Sequence, residues 1–168
     1  MGKIFPDFFL SQERIVRIIY SIQNINPKNN SLKSNFFHFV NNPATGKNEL
    51  SCSRFEFESI ESYRALGKHY EDPNYKRNYY GLACTVVSYV EELDGYRFRF
   101  TPILNKNPKN YFHCDIYNES IDSSQTGVAN SADKNYRIEL LKSKWNPYQD
   151  NGILFTKELI RPPLRNSN

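Results

Sequence analysis

The run Tyr96-Arg97-Phe98-Arg99-Phe100-Thr101 alternates ring and cation with a period of two residues. Successive side chains of a β-strand point to opposite faces of a sheet, so this run has one aromatic side and one basic side. A chain carrying it needs a hydrophobic layer against one face of a sheet, which excludes an all-helical bundle. The rings for that layer are abundant: 12 Phe, 12 Tyr and one Trp in 168 residues, 15% of the chain. Disordered chains rarely carry so many, and no collagen or coiled-coil period is present. The partner expected for this strand is Val86 to Leu93, joined to Tyr96–Ile103 by Asp94-Gly95, a dipeptide suited to the positive φ angles of a type I′ turn.

Other segments give weaker signals. Ile15, Ile18, Ile19 and Ile22 fall at helical spacing behind Ser11, which predicts a helix over 11–25, although the β-branched density of the segment favours a strand. Strands are expected at Phe36–Val40, Glu49–Phe57, Tyr111–Tyr117 and Gly152–Ile160, with a bulge near Ser53-Arg54. Helices are expected from a Ser59 cap to Tyr70 and from Ser131 to about Trp145, the latter stopped by Asn146-Pro147. Turn residues separate these runs at 41–46 and 105–110, while 120–130 is polar and irregular. The expected fold is α+β: one compact domain over residues 1–160, a mixed and mostly antiparallel sheet of about five strands, two or three packed helices, and a Pro-containing tail over 161–168.

Nothing in the sequence approaches the roughly 20 apolar residues of a membrane helix, and the N-terminal stretch lacks the uninterrupted apolar core of a signal peptide. Cys52, Cys84 and Cys114 are widely spaced and odd in number, which argues against a disulfide framework and for a reducing, cytoplasmic home. Richness in Asn and Lys matches the drift of AT-rich bacterial coding sequence. No phosphate-cradling glycine loop, nucleophile elbow or zinc-protease motif is present. No cofactor or metal is expected: a site from Cys52, Cys114, His113 and His38 lacks close ligand pairs, and a cysteine nucleophile paired with His38 or His69 has no supporting motif.

Three clusters carry chemical interest. His113 and Asp115 share one face of a strand, where an imidazole and a carboxylate can share a proton relay or bind a metal. Arg54, between Ser53 and Phe55 and close to Ser51, offers a planar fork for phosphate or carboxylate. Tyr75-Lys76-Arg77-Asn78-Tyr79-Tyr80 interleaves rings with cations, and with Arg97 and Arg99 it makes a basic, Tyr-rich surface suited to a nucleic acid or nucleotide. The leading expectation is a small accessory or binding protein using Tyr75, Lys76, Arg77, Tyr79, Tyr80, Arg97 and Arg99 to engage a nucleic acid, a nucleotide or a protein partner, itself included as a homo-oligomer. Against the nucleic-acid version, the sequence pI near 8.9 falls just short of the roughly 9 and above of dedicated nucleic-acid domains, and no K/R-G-F/Y-G/A-F string is present. One alternative is a phosphoester- or nucleotide-processing enzyme in which His113, Asp115 and Arg54 converge. Another is a structural subunit docking through Phe5, Phe8, Phe9 and Leu10 and through the tail after Arg161.

Overall fold

The computed structural model describes residues 7–21, 23–119 and 131–165. It is an α+β fold built on one seven-stranded sheet. The strands are β1 (Arg14–Tyr20), β4 (Val40–Asn42), β5 (Lys47–Arg54), β6 (Tyr79–Val86), β7 (Tyr96–Phe100), β8 (His113–Asn118) and β9 (Asn146–Gln149), while β2 (Ile25–Asn26) and β3 (Ser31–Leu32) form a separate small ladder. Every pairing is antiparallel, in the order β7-β8-β5-β1-β6-β9, with β4 on the free end of β5. Helices α1 (Ile60–His69), α2 (Val87–Glu91) and α3 (Ser131–Lys142) complete the fold. No helix among the described residues is long and apolar enough to cross a membrane.

β1 replaces the expected helix over 11–25. It lies between β5 and β6 with both faces of the sheet covered, Ile15 and Ile19 buried on one side and Val16 on the other. A strand buried on both faces shows a near-continuous apolar run, and here that run happens to match helical spacing too. β-branched side chains then decide in favour of the strand.

The alternation in β7 stands, with Tyr96 and Phe98 buried, but its partner is β8, reached through the long loop 101–112. Val87–Glu91 is helical: Val87 and Val90 are buried three residues apart, and the N–H groups of Val87 and Ser88 donate to the carbonyls of Glu13 and Ser11. Gly95, at φ 78°, turns the chain out of α2 into β7. Ser34–Phe37 and Gly152–Leu154 are 3₁₀ turns where strands were expected to begin. β5 ends at Arg54 in a further 3₁₀ turn over Phe55–Phe57, which is the change of phase read as a bulge. Pro147 lies inside β9, which a proline tolerates because β9 is an edge strand paired only with β6.

Register assigns the two faces, since residues directly opposite one another point the same way. On the face under α3 a core forms from Ile15, Ile19, Leu50, Cys52, Phe98, Ile116, Leu141 and Trp145. On the face under α1 a smaller core of Val16, Leu82, Cys84, Phe55, Ile60, Tyr63 and Phe155 covers only part of the sheet. The rest of that face is polar: Ser51 and Ser53 on β5, His113 and Asp115 on β8, Arg97 and Arg99 on β7.

Candidate functional site

β1 and β5 pair only at Ile15–Arg54 and Val16–Ser53, after which β1 continues along β6 and β5 takes β4 on the vacated edge. The strands part around Leu50–Cys52, and Arg17 fills the gap. Its Nη1 donates to the Ser51 carbonyl at 2.5 Å and its guanidinium lies 5.1 Å from the Phe36 ring centroid. An open sheet edge inside a protein leaves backbone carbonyls without donors, and a guanidinium is one of the few groups able to supply them.

Beside this gap lies a cavity of about 460 Å³. β1 supplies Arg17, Ile18 and Tyr20, β5 supplies Ser51 and Ser53, and β8 supplies His113. α1 walls it with Tyr63 and Leu66, and Tyr70 continues that wall. Ser59 caps α1 by accepting from the Ser62 N–H at 3.1 Å, as the sequence indicated. The loop between β7 and β8 closes the remaining side. Ile103 and Asn110 bridge through backbone hydrogen bonds of 2.8 and 2.9 Å, and the enclosed loop brings Lys106 to the rim. Arg77 enters from the turn before β6, where Asp72 and Arg77 bridge, and stacks with its guanidinium 4.3 Å from the Tyr20 ring centroid.

The electrostatics of this space are one-sided. Arg17, Arg77 and Lys106 line it together with His113, and no aspartate or glutamate is among the described residues that do. Burial lowers the pKa of Arg17, and Arg77 adds to that effect. Burial also lowers the pKa of His113, and Lys106 and Arg17 push the same way. The Nε atoms of both Arg17 and Arg77 are buried with no hydrogen-bond partner among the described residues. Like charges gathered around a desolvated space, with donors left unpaired, are the pattern an anionic ligand relieves.

His113 and Asp115 do lie together, with Nε2 3.7 Å from Oδ1. The Thr101 carbonyl, which can only accept, sits 2.8 Å from His113 Nδ1, so the neutral ring carries its proton there and keeps a lone pair on Nε2. Thr101 Oγ1 donates to Asp115 Oδ2 at 2.7 Å, and Ser51 Oγ donates to Oδ1 at 3.4 Å. The pair can therefore accept and stabilise a proton at Nε2.

Arg54 does not join them. It stands opposite Ile15 on the α3 face, fully buried, and its Nε and Nη2 donate to Glu13 at 2.5 and 2.8 Å. Its guanidinium also lies against the rings of Phe9, Phe57 and Phe100. Removing one partner of a buried ion pair costs about 3–5 kcal/mol, so this is a structural group. The convergence of Arg54 with His113 on which the enzyme reading rested is absent, because an odd register step separates Arg54 from Ser51 and Ser53.

The basic, Tyr-rich residues are dispersed. Arg97 pairs with Glu119 at 3.7 Å and Arg99 with Glu49, which is itself buried. Tyr79 donates to Asp150 Oδ2 at 3.0 Å and Tyr80 packs against the α3-face core. Tyr75 and Lys76 are exposed, and only Arg77 of this set reaches the cavity. At the N-terminus Phe8 and Leu10 are exposed and Phe9 packs on Phe98, whereas Phe5 lies outside the described residues. Of the tail, Arg165 pairs with Glu92, and residues 166–168 are likewise outside.

Cys52, Cys84 and Cys114 are buried free thiols, and burial pushes the first two up to about 12, far from a reactive thiolate. Among the described residues no group of three or more His, Cys, Asp or Glu could hold a metal ion. A second hollow of about 510 Å³ has the opposite character, with Glu56, Glu58, Glu61 and Glu158 around Arg64 and Lys157. Sequence reasoning missed Arg17, Tyr20 and Lys106; the β-branched density around Arg17 was the one available signal, since it marks a central strand. Comparison with known proteins finds no matching family model, no matching curated protein and no matching solved structure.

Proposed function

We propose that this chain is a small-molecule-binding domain whose ligand places an anionic group in the cavity between α1 and the β7–β8 loop. One observation carries the reading: Arg17, Arg77 and Lys106 line a common space that no carboxylate of the described residues lines, and Arg17 and Arg77 each keep a buried Nε without a hydrogen-bond partner among those residues. The volume of about 460 Å³ falls in the range of roughly 300–1,000 Å³ usual for small-ligand sites. A long nucleic acid would need an open, continuous basic track, and Arg97 and Arg99 are instead engaged with Glu119 and Glu49.

Thermal unfolding with inorganic phosphate, at fixed ionic strength, tests this. A ligand that binds only the folded state adds about 2.7 kcal/mol at a hundred times its Kd, and a domain of this size then gains roughly 5–10 °C in Tm. The wild-type chain and an Arg97→Gln control should show the rise, whereas Arg17→Gln and Arg77→Gln should lose most of it. Equal responses in all four proteins, or no response in any, would overturn the reading.

A further inference from the structure

We propose that the ligand is a phosphomonoester of a hydroxylated ring compound, a sugar phosphate or a nucleoside monophosphate. This rests on the anion-binding reading above and narrows it. The charge comes first. Three basic side chains line the cavity and the Asp115 carboxylate, 3.7 Å from His113, offsets one of them, which leaves a site matched to a dianion. A phosphate ester carries about −1.5 to −2 near neutral pH, and a carboxylate carries one charge.

The donor count agrees. Arg17 spends Nη1 on the Ser51 carbonyl, and it and Arg77 each keep an Nε with no partner among the described residues. Lys106 adds an ammonium from the opposite loop. Donors arriving from β1, from the turn before β6 and from the β7–β8 loop suit the three terminal oxygens of a phosphate better than the single plane of a carboxylate.

A phosphate alone would occupy a small part of the cavity, and the remaining lining specifies what it is attached to. Ser53 Oγ accepts from Asn110 Nδ2 at 3.0 Å, so its own proton remains to be donated. Asn24 Oδ1 accepts from the Tyr20 N–H at 3.0 Å, which leaves the amide N–H groups as donors. Such groups recognise hydroxyls. Ile18, Leu66, Ile103 and Tyr70 provide an apolar wall for the carbon face of a ring.

Isothermal titration of the full chain with inorganic phosphate, succinate, ribose, ribose 5-phosphate, glucose 6-phosphate and AMP tests the assignment. At least one of the three esters should bind ten-fold or more tighter than inorganic phosphate, and tighter than ribose or succinate. Lys106→Gln, an exposed loop variant with no part in the core, should weaken every phosphorylated ligand at least five-fold. If inorganic phosphate binds but none of the three esters binds more tightly, or if succinate binds tightest, the ester assignment falls while the anion site stands. If neither phosphate nor any other anion binds, both fall together.

Discussion

Arg17 and His113 show how one side chain takes its role from its surroundings. Arg17 lies in the gap where β1 and β5 part, tied to the Ser51 carbonyl and lining the cavity. The folded state also holds the His113 proton less tightly than an unfolded chain does. Burial is the main cause, helped by Lys106 and Arg17 and opposed by Asp115 and the Thr101 carbonyl. A group with a depressed folded pKa that is charged when protonated costs stability as pH falls. The loss begins near the unfolded value of about 6.5 and levels off below the lower folded one. Urea denaturation between pH 7.5 and 5 should therefore show a steeper loss of stability for the wild-type chain than for His113→Gln. Parallel profiles would mean that the imidazole is not desolvated. His113 and Asp115 were legible in the sequence because residues two apart on a strand share a face. Arg54 was misread because its partner, Glu13, lies 41 residues earlier and no local pattern announces it.

Among the elements, α1 positions one wall of the cavity and depends on a close approach to β6. A Cβ added at Gly67 would stand 2.3 Å from Tyr79 Cδ2. The Tyr79 ring has little room to yield, because its hydroxyl is bonded to Asp150, which Arg64 holds in turn at 2.6 Å. Gly67→Ala gains up to about 1 kcal/mol of helix propensity but incurs roughly 1–3 kcal/mol of overpacking. The expected outcome is a lower urea midpoint with weaker phosphate binding. A stabilised variant would show that α1 does not press on β6. α1 with its Ser59 cap, the alternation of β7, and the identities of β8 and α3 were all readable locally. β6 was not, because Tyr79–Val86 is buried almost throughout and shows no alternation, so its first residues read as part of a basic, Tyr-rich loop and only its last, Val86, as the start of a hairpin arm. β4 and β9, at 3 and 4 residues, are too short to leave a periodic signal, which is why a sheet of seven strands read as about five.

Taken together, the layers divide the work of the sheet. The α3 face is core almost throughout, and the α1 face is core at one end and cavity at the other. Elsewhere five arginines find carboxylates: Arg14 with Glu56, Arg54 with Glu13, Arg64 with Asp150, Arg97 with Glu119 and Arg99 with Glu49. Arg17, Arg77 and Lys106 form no such pair among the described residues, and all three line the cavity. The α+β class was readable because ring-rich alternating runs and amphipathic helices occur in one short chain. The cavity was not, because it arises where two strands part and a loop folds back, and neither event has a local sequence mark. Backbone amide NMR during titration with inorganic phosphate would locate the bound anion. Shifts concentrated at residues 16–20, 51–53, 77 and 103–113 are the expected result. Shifts centred on the half-buried arginines of β7 and on Lys76, with the cavity amides unmoved, would contradict it.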